Sequence, residues 1–382
     1  MTHALHVTTW HPWIEGLAGL FILEQCAAIR RSGVDVGLIF SRIEGLSCLS
    51  PARLPRGFPG VVQTDDPVPT WGFKTWNVPG GASLVPRVVD LTLRSRYAAY
   101  EAARGRPDIL HAHGALDAGP ATRKIARAVG VGYVITEHSS GILNAGLSSA
   151  GLDTARQIYT DARHVIAVSN ILASRILDIC PEARVRVIPN MVPGTVFALR
   201  TSARARDDSL KVFALSNLLP SKCVHNTIEA LAGVSATFRN RVVLHVIGDG
   251  VERPRLEELA RLRGLRTVFH GYLPHIEAMR LLAAADLLVH ASAYETFGIV
   301  LAEAAALGVP VVATRCGGPQ DVVGENSGLL VEVDDVAALR TGVDAVLGNL
   351  EYWRAQSDKI SRCAYDRFHE SRVAAAIADT YR

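Results

Sequence analysis

The stretch from Glu295 to Gly318, ETFGIVLAEAAALGVPVVATRCGG, constrains the fold more than any other. Ile299 to Leu307 is rich in alanine and leucine, which favour helix. Gly308 stands where a helix ends in a left-handed residue, and Pro310 bars its continuation. Val309 to Ala313 is then a short apolar run, the mark of a strand buried on both faces of a parallel sheet. Gly317, Gly318 and Pro319 turn the chain again. The spacing predicts a loop, a helix, a strand and a second loop. A chain built of such units is α/β, with crossover helices and parallel strands.

The same stretch carries chemistry. The amides of Gly298, Ile299 and Val300 are the unpartnered donors of a helix N-terminus, and such ends attract phosphates. Gly298 has no side chain to block a close approach. Glu303 follows Val300 by three residues and shares its helix face. A carboxylate there suits a ribose diol, because each oxygen accepts hydrogen bonds. Glu295, before the helix, reaches the far side of the phosphates. The plain alternative is that Glu295 favours the helix dipole and Glu303 is a solvated face residue.

The full string decides between them. It resembles the signature of the family-4 retaining glycosyltransferases of the GT-B fold. Two glutamates, Glu295 and Glu303, are separated by seven residues, with Phe297-Gly298 after the first and Glu303-Ala304 before Gly308, Pro310, Val311 and Val312. The resemblance implies that Glu295 contacts donor-sugar hydroxyls, Glu303 the ribose, and the amides after Gly298 the diphosphate. It implies two Rossmann-like doubly wound domains facing a central cleft.

Bulk properties agree. A chain of 382 residues, 49% hydrophobic and 20% charged, is folded and long enough for two cores. A net charge of +3 does not ask for nucleic acid. The six cysteines show no CxxC and no metal spacing, and read as reduced thiols in a cytoplasmic protein. The start lacks a signal peptide, and no apolar run approaches roughly 18 residues.

In chain order, Ala4 to Thr9 reads as a strand, Phe21 to Arg31 as a helix and Val34 to Phe40 as a strand, the opening of a doubly wound domain. A glycine loop between them includes Gly19; the resemblance implies that it faces the donor. Residues 41 to 106 show no clear period and suit acceptor selection or tryptophan packing. Arg87, Arg94 and Arg96 form a solvated face, with a peripheral membrane contact at the inner face as the lesser reading. Strands follow at 108–112, 132–136, 164–169 and 185–189. His138, in TEHSSG, matches the histidine that the family places near the donor sugar. His113 matches a second recurring histidine, and no metal is implied. Met191 stands where a glycine is usual. RTSARARDDS, from Arg200 to Ser209, reads as a linker.

The second half restarts the pattern, with strands at 210–215, 242–248, 267–271 and 287–290. The family shows Gly-Arg-Leu and then Lys-Gly after the first of these. Here Lys222 is kept, while Ser216, Asn217 and Cys223 replace Gly, Arg and Gly. Lys222 then supplies the point charge beside the diphosphate. Tyr272 and Leu273 match the segment that reads the nucleotide base. Helices are expected at 251–264, 336–347 and from Glu351 to the end.

The domains are expected at 1–199, for an acceptor that is a glycan, a lipid-linked glycan or a small molecule, and at 210–365, for the nucleotide-sugar donor. Residues 366–382 are expected to cross back as a helix. The resemblance implies a retaining hexosyltransferase acting from a nucleoside diphosphate sugar, UDP-sugar favoured. Glu295, His138 and Lys222 form its catalytic set, and Gly19, Asn217, Tyr272, Leu273, Phe297, Gly298, Ile299, Val300 and Glu303 bind the donor. No DxD triplet occurs, so neither metal nor cofactor is expected. The rivals are a UDP-sugar epimerase of the same fold and a non-catalytic nucleotide-binding subunit.

Overall fold

The computed structural model describes residues 1–11, 19–44, 60–76, 84–144, 146–200 and 208–382. Trp13, Gly16, Cys48, several of the early prolines and most of the polar run after Arg200 lie outside these residues. Two compact units emerge, one of Met1–Ile188 with Glu370–Arg382, the other of Pro189–His369.

The first unit holds an eight-stranded sheet. Its strands are β1 (His3–Thr8), β2 (Asp35–Glu44), β3 (Gly60–Thr64), β4 (Thr70–Trp76), β5 (Ile109–His113), β6 (Gly132–Glu137), β7 (His164–Ala167) and β8 (Val185–Val187). Their order is β3-β4-β2-β1-β5-β6-β7-β8, parallel except where β3 runs antiparallel to β4. The strand order reverses between β1 and β5. Ligands of open α/β sheets sit beyond the strand ends at such a point.

The stretch from 41 to 106, which shows no clear period in sequence, carries β3, β4 and the long helix Val85–Arg104. The helix buries Leu93, Tyr97 and Tyr100. Two glycines hide this order from the pattern. The Phe40 ring fills the space a side chain at Gly72 would need, and the Tyr100 ring does the same at Gly37. Trp71 is buried edge-on against Tyr100, so it packs the core. Arg87 and Arg94 are exposed. Among the described residues no helix is long and apolar enough to cross a membrane.

The second unit holds six parallel strands: β9 (Leu210–Leu215), β10 (Val242–Ile247), β11 (Thr267–Gly271), β12 (Leu287–His290), β13 (Val311–Thr314) and β14 (Gly328–Val331). Their order is β11-β10-β9-β12-β13-β14, which places the reversal between β9 and β12. The helix Ile299–Ala306 is buried almost all round, as its unbroken apolar sequence requires.

Two expectations need correction. β13 begins at Val311, not Val309, because Gly308 is left-handed and the Val309 N–H still bonds to Ala304. The last helix is not continuous from Glu351. Leu350–Phe368 and Glu370–Asp379 are separate, with His369 extended between them. The Val192 N–H takes the Phe368 carbonyl at 2.7 Å, so the backbone turns aside there.

Candidate functional site

In the second unit the reversal point brings two loops together. The loop after β9 carries Lys222 and the loop after β12 carries Glu295. An Ala293 N–H to Ser221 carbonyl bond of 2.9 Å ties them. The Glu295 backbone also exchanges bonds with the loop after β13, through Cys316 and Gly318. A glycine is obligatory at 248, where the loop after β10 passes. Its φ is 125°, and any Cβ there would overlap the Ser216 carbonyl oxygen.

The side chains meet on one atom. Lys222 Nζ lies 2.5 Å from Glu295 Oε1, His290 Nε2 lies 3.1 Å from it, and the Ser292 hydroxyl donates to it at 3.3 Å. Burial opposes the charge on Glu295, yet His290 and Lys222 outweigh it and hold the carboxyl down to about 2. Oε2 takes no hydrogen bond among the described residues. Lys222 has three N–H donors and spends one of them on Glu295. The pair therefore presents a free carboxylate oxygen beside an ammonium with donors to spare.

Past Glu295, Phe297 is buried against Phe368. Gly298 is left-handed at φ 84° and begins the helix at Ile299. The first backbone N–H to find a helical acceptor is that of Leu301, on the Gly298 carbonyl. The amides of Gly298, Ile299 and Val300 take no acceptor among the described residues. The helix therefore starts with unpartnered amides, the kind of end that attracts anions.

Glu303 is buried at 5% exposure, so it is not a solvated face residue. His275 Nε2 lies 2.6 Å from its Oε1. That histidine opens the helix His275–Ala283, directly after Tyr272 and Leu273. The structure thus joins the segment after β11 to Glu303. Tyr272 is exposed and Leu273 half-buried. Asn217 is exposed, and its carbonyl accepts from Leu219. Cys223 takes the left-handed conformation at φ 47°, as a glycine would, so the turn beside Lys222 survives the substitution.

The first unit gathers its candidates at the ends of β1, β5 and β6. Gly19 is left-handed at φ 89°, and a Cβ there would lie 2.6 Å from the Trp10 carbonyl. The His138 ring is buried, packs against Phe21 and stacks on His113. Glu137 is fully buried and positions this region. Its Oε2 accepts from the Ala115 N–H and the Tyr159 hydroxyl, and its Oε1 from the His138 and Ser139 amides. Burial raises its pKa and these bonds oppose the rise.

A cavity of about 710 Å³ lies in this unit, lined by Trp10, Ser41, Arg42, Arg87, Asp117 and Lys124 among others. Burial and the nearby Glu137 push Asp117 up to about 6. The partners His275, His290, Ser292 and Asp117 were not anticipated from sequence. Only His290, at the end of a buried strand, carried a positional signal.

Comparison with known proteins gives the family and the fold. The family model for glycosyl transferases group 1 matches residues 197–361, and that for glycosyltransferase family 4 matches 18–193. Glycogen synthase of Mycobacterium tuberculosis is 32% identical over 293 residues, covering 72% of this chain and 69% of that one. Among solved structures, Anabaena HepE in complex with UDP and glucose superposes with a TM-score of 0.73 at 22% identity, covering 100% of this chain and 99% of that one. Sucrose-phosphate synthase of Thermosynechococcus elongatus gives 0.79 at 20% identity, covering 100% and 98%.

Proposed function

The chain belongs to the family-4 glycosyltransferases of the GT-B fold, and from that premise we propose that it moves a sugar from a nucleoside diphosphate sugar to an acceptor with retained anomeric configuration. The donor is a UDP-sugar. The HepE neighbour was solved with UDP and glucose, which supports that preference. The acceptor is a glycan, a lipid-linked glycan or a small molecule, held at the cavity of the first unit. Its wall mixes the basic Arg42, Arg87 and Lys124 with Asp90 and Asp117, and Lys124 is paired with Asp90, which suits a polar acceptor.

One observation carries this reading. The oxygens of Glu295 divide the work: Oε1 is anchored by Lys222, His290 and Ser292, while Oε2 stays open to a sugar hydroxyl. Anchoring one oxygen fixes the direction of the other, which orients the sugar ring for reaction. Lys222 keeps donors for the diphosphate, and the amides of Gly298, Ile299 and Val300 add the helix end. The bond that breaks joins the anomeric carbon to the diphosphate. These donors stabilise the charge that builds there without a metal ion. The acceptor hydroxyl attacks from the same face, with the leaving phosphate as its base. Glu303 takes the ribose hydroxyls through its remaining oxygen.

The test needs no acceptor at first. Purified protein is screened with nucleotide sugars for slow hydrolysis in EDTA, and the released sugar's anomer is read by NMR. Hydrolysis with retention, undiminished by EDTA, is expected. Nucleotide binding without turnover would make the chain a non-catalytic subunit, and an epimerised nucleotide sugar would make it an epimerase. Activity lost in EDTA and restored by magnesium or manganese would overturn the metal-free phosphate site.

A further inference from the structure

One face of the first unit's sheet carries a file of histidines outside the donor machinery of the second unit. His6 on β1 and His111 on β5 stand side by side in register. His113 follows two residues on, and all three are fully buried. The C-terminal tail reaches them with Tyr381, also buried.

Among the described residues the ring hydrogen bonds form one chain. His111 Nε2 meets the Thr136 hydroxyl at 2.7 Å, and His111 Nδ1 meets the Tyr381 hydroxyl at 2.8 Å. The same hydroxyl meets His6 Nε2 at 3.0 Å. His6 Nδ1 meets His113 Nε2 at 3.0 Å, and His113 Nδ1 meets His138 Nε2 at 3.3 Å. Burial keeps the rings neutral: His6 is lowered to about 3, and His111 and His113 well below 6.5, with neighbouring histidines adding to the effect on those two.

Ring nitrogens of His6, His111 and His113 lie within 4.8 Å of one another, close enough to suggest a metal. The ring orientations argue otherwise. His111 and His113 stack at 12° with centroids 4.7 Å apart. A ligating nitrogen points its lone pair within the ring plane, and two nearly parallel stacked planes do not converge on one ion. Each of these nitrogens also has a protein partner already.

A neutral imidazole carries one N–H and one lone pair, and a tyrosine hydroxyl has a single proton. The chain therefore has two self-consistent arrangements. In one, Thr136 donates to His111, His111 to Tyr381, Tyr381 to His6, His6 to His113 and His113 to His138. His138 then accepts at Nε2 and carries its proton on Nδ1. In the other, every bond is reversed and the His138 proton sits on Nε2. A change of direction along the chain would leave two donors or two lone pairs facing each other between rings, or at Tyr381 a hydroxyl proton with no acceptor, in a buried site, at a cost of the order of 1–3 kcal/mol. The tautomer of His138 is thus coupled to the Tyr381 hydroxyl through two intervening rings.

We propose that Tyr381 is a positioning residue: through His6 and His113 it couples the tautomer of His138 to the direction of its own hydroxyl bond, and so bears on whether Nδ1 of that ring donates or accepts.

Full-length protein labelled with ¹⁵N in its histidine rings tests it. Two-bond ¹H–¹⁵N spectra should show His6, His113 and His138 in the same tautomer, all protonated on Nδ1 or all on Nε2. In Tyr381→Phe, which keeps the ring and removes the hydroxyl, the tautomer ratio of His138 should shift at least threefold. The His6→Gln variant, which cuts the next link, should do the same and serves if Tyr381→Phe does not fold. Unchanged His138 nitrogens in both variants would overturn the coupling. So would stoichiometric metal in the purified protein whose removal shifts the His6, His111 and His113 nitrogens together.

Discussion

Lys222 and Glu295 form the contact on which the second unit's site turns, and a double-mutant cycle measures it. Holding Glu295 at about 2 rather than its ordinary 4.5 corresponds to about 3 kcal/mol at neutral pH. That effect is shared with His290, which also faces Oε1. The lysine's part, taken as about half of that, is about 1–2 kcal/mol, at the low end of the range for a hydrogen bond to a charged group. The sign follows from the direction of the shift. A carboxylate whose folded value is depressed contributes stability above its unfolded value, and loses it as pH falls from about 4.5 toward about 2.

Lys222→Met, Glu295→Gln and the double variant should be compared by urea unfolding of the second unit's transition at pH 7 and pH 3. At pH 7 the coupling between the two sites should be about 1–2 kcal/mol. At pH 3 it should shrink, because the carboxyl of the Lys222→Met protein takes up a proton and no longer stands as an unbalanced charge. A coupling equal at both pH values, or absent at pH 7, would refute the reasoning. The same proteins separate structure from binding. Glu295→Gln should bind bare nucleoside diphosphate at least as tightly as the parent, since Lys222 then has its full set of donors, yet turn over donor far more slowly.

Glu303→Ala should weaken bare nucleotide diphosphate and nucleotide sugar alike, by about 1.5–3 kcal/mol; calorimetry showing loss only for the nucleotide sugar would reassign Glu303 to the sugar end. Gly248→Ala should destabilise the second unit by about 1–3 kcal/mol, through the positive φ and the overlap with Ser216, and a thermal midpoint within error of the parent would contradict the close approach. Asp117 is raised from 3.8 to about 6, so its contribution is most favourable below pH 3.8 and is lost as pH rises through 6. Asp117→Asn should accordingly gain stability over the parent between pH 4 and pH 7, up to about 3 kcal/mol, and a difference that does not vary with pH would rule this out.

What the sequence made legible is what a short segment encodes by itself. Gly298 before an alanine-rich run announces a helix end, and Gly308 with Pro310 announces its stop. β9 and β12 fall on short, mostly apolar runs and β11 on a short run that ends at a glycine, and the structure places all three at the residues expected. β4 was hidden because Gly72 yields its space to Phe40, a packing relation between two strands that neither strand shows alone. β14 was hidden because it begins at a glycine and is only four residues long. The break at His369 was hidden because its cause is the Val192 N–H, far off in the chain.

The site divides along the same line. Glu295, Glu303 and Lys222 were readable because their neighbours in sequence carry the pattern. Their partners were not. His275 reaches Glu303 across 28 residues, and Tyr381 reaches His111 across 270. Such partners decide what a carboxylate or an imidazole can do. Lys222 alone is a lysine after a strand; with Glu295 it becomes one side of a fixed pair that leaves a single oxygen open. His138 alone is a buried ring; with His113, His6 and Tyr381 its proton has only two places to be. In both units a short segment shows the ionisable side chain, and residues distant in the chain supply the partners that meet it. A variant that keeps every signature residue and alters only these distant partners should therefore retain the fold while changing the chemistry of the group they hold.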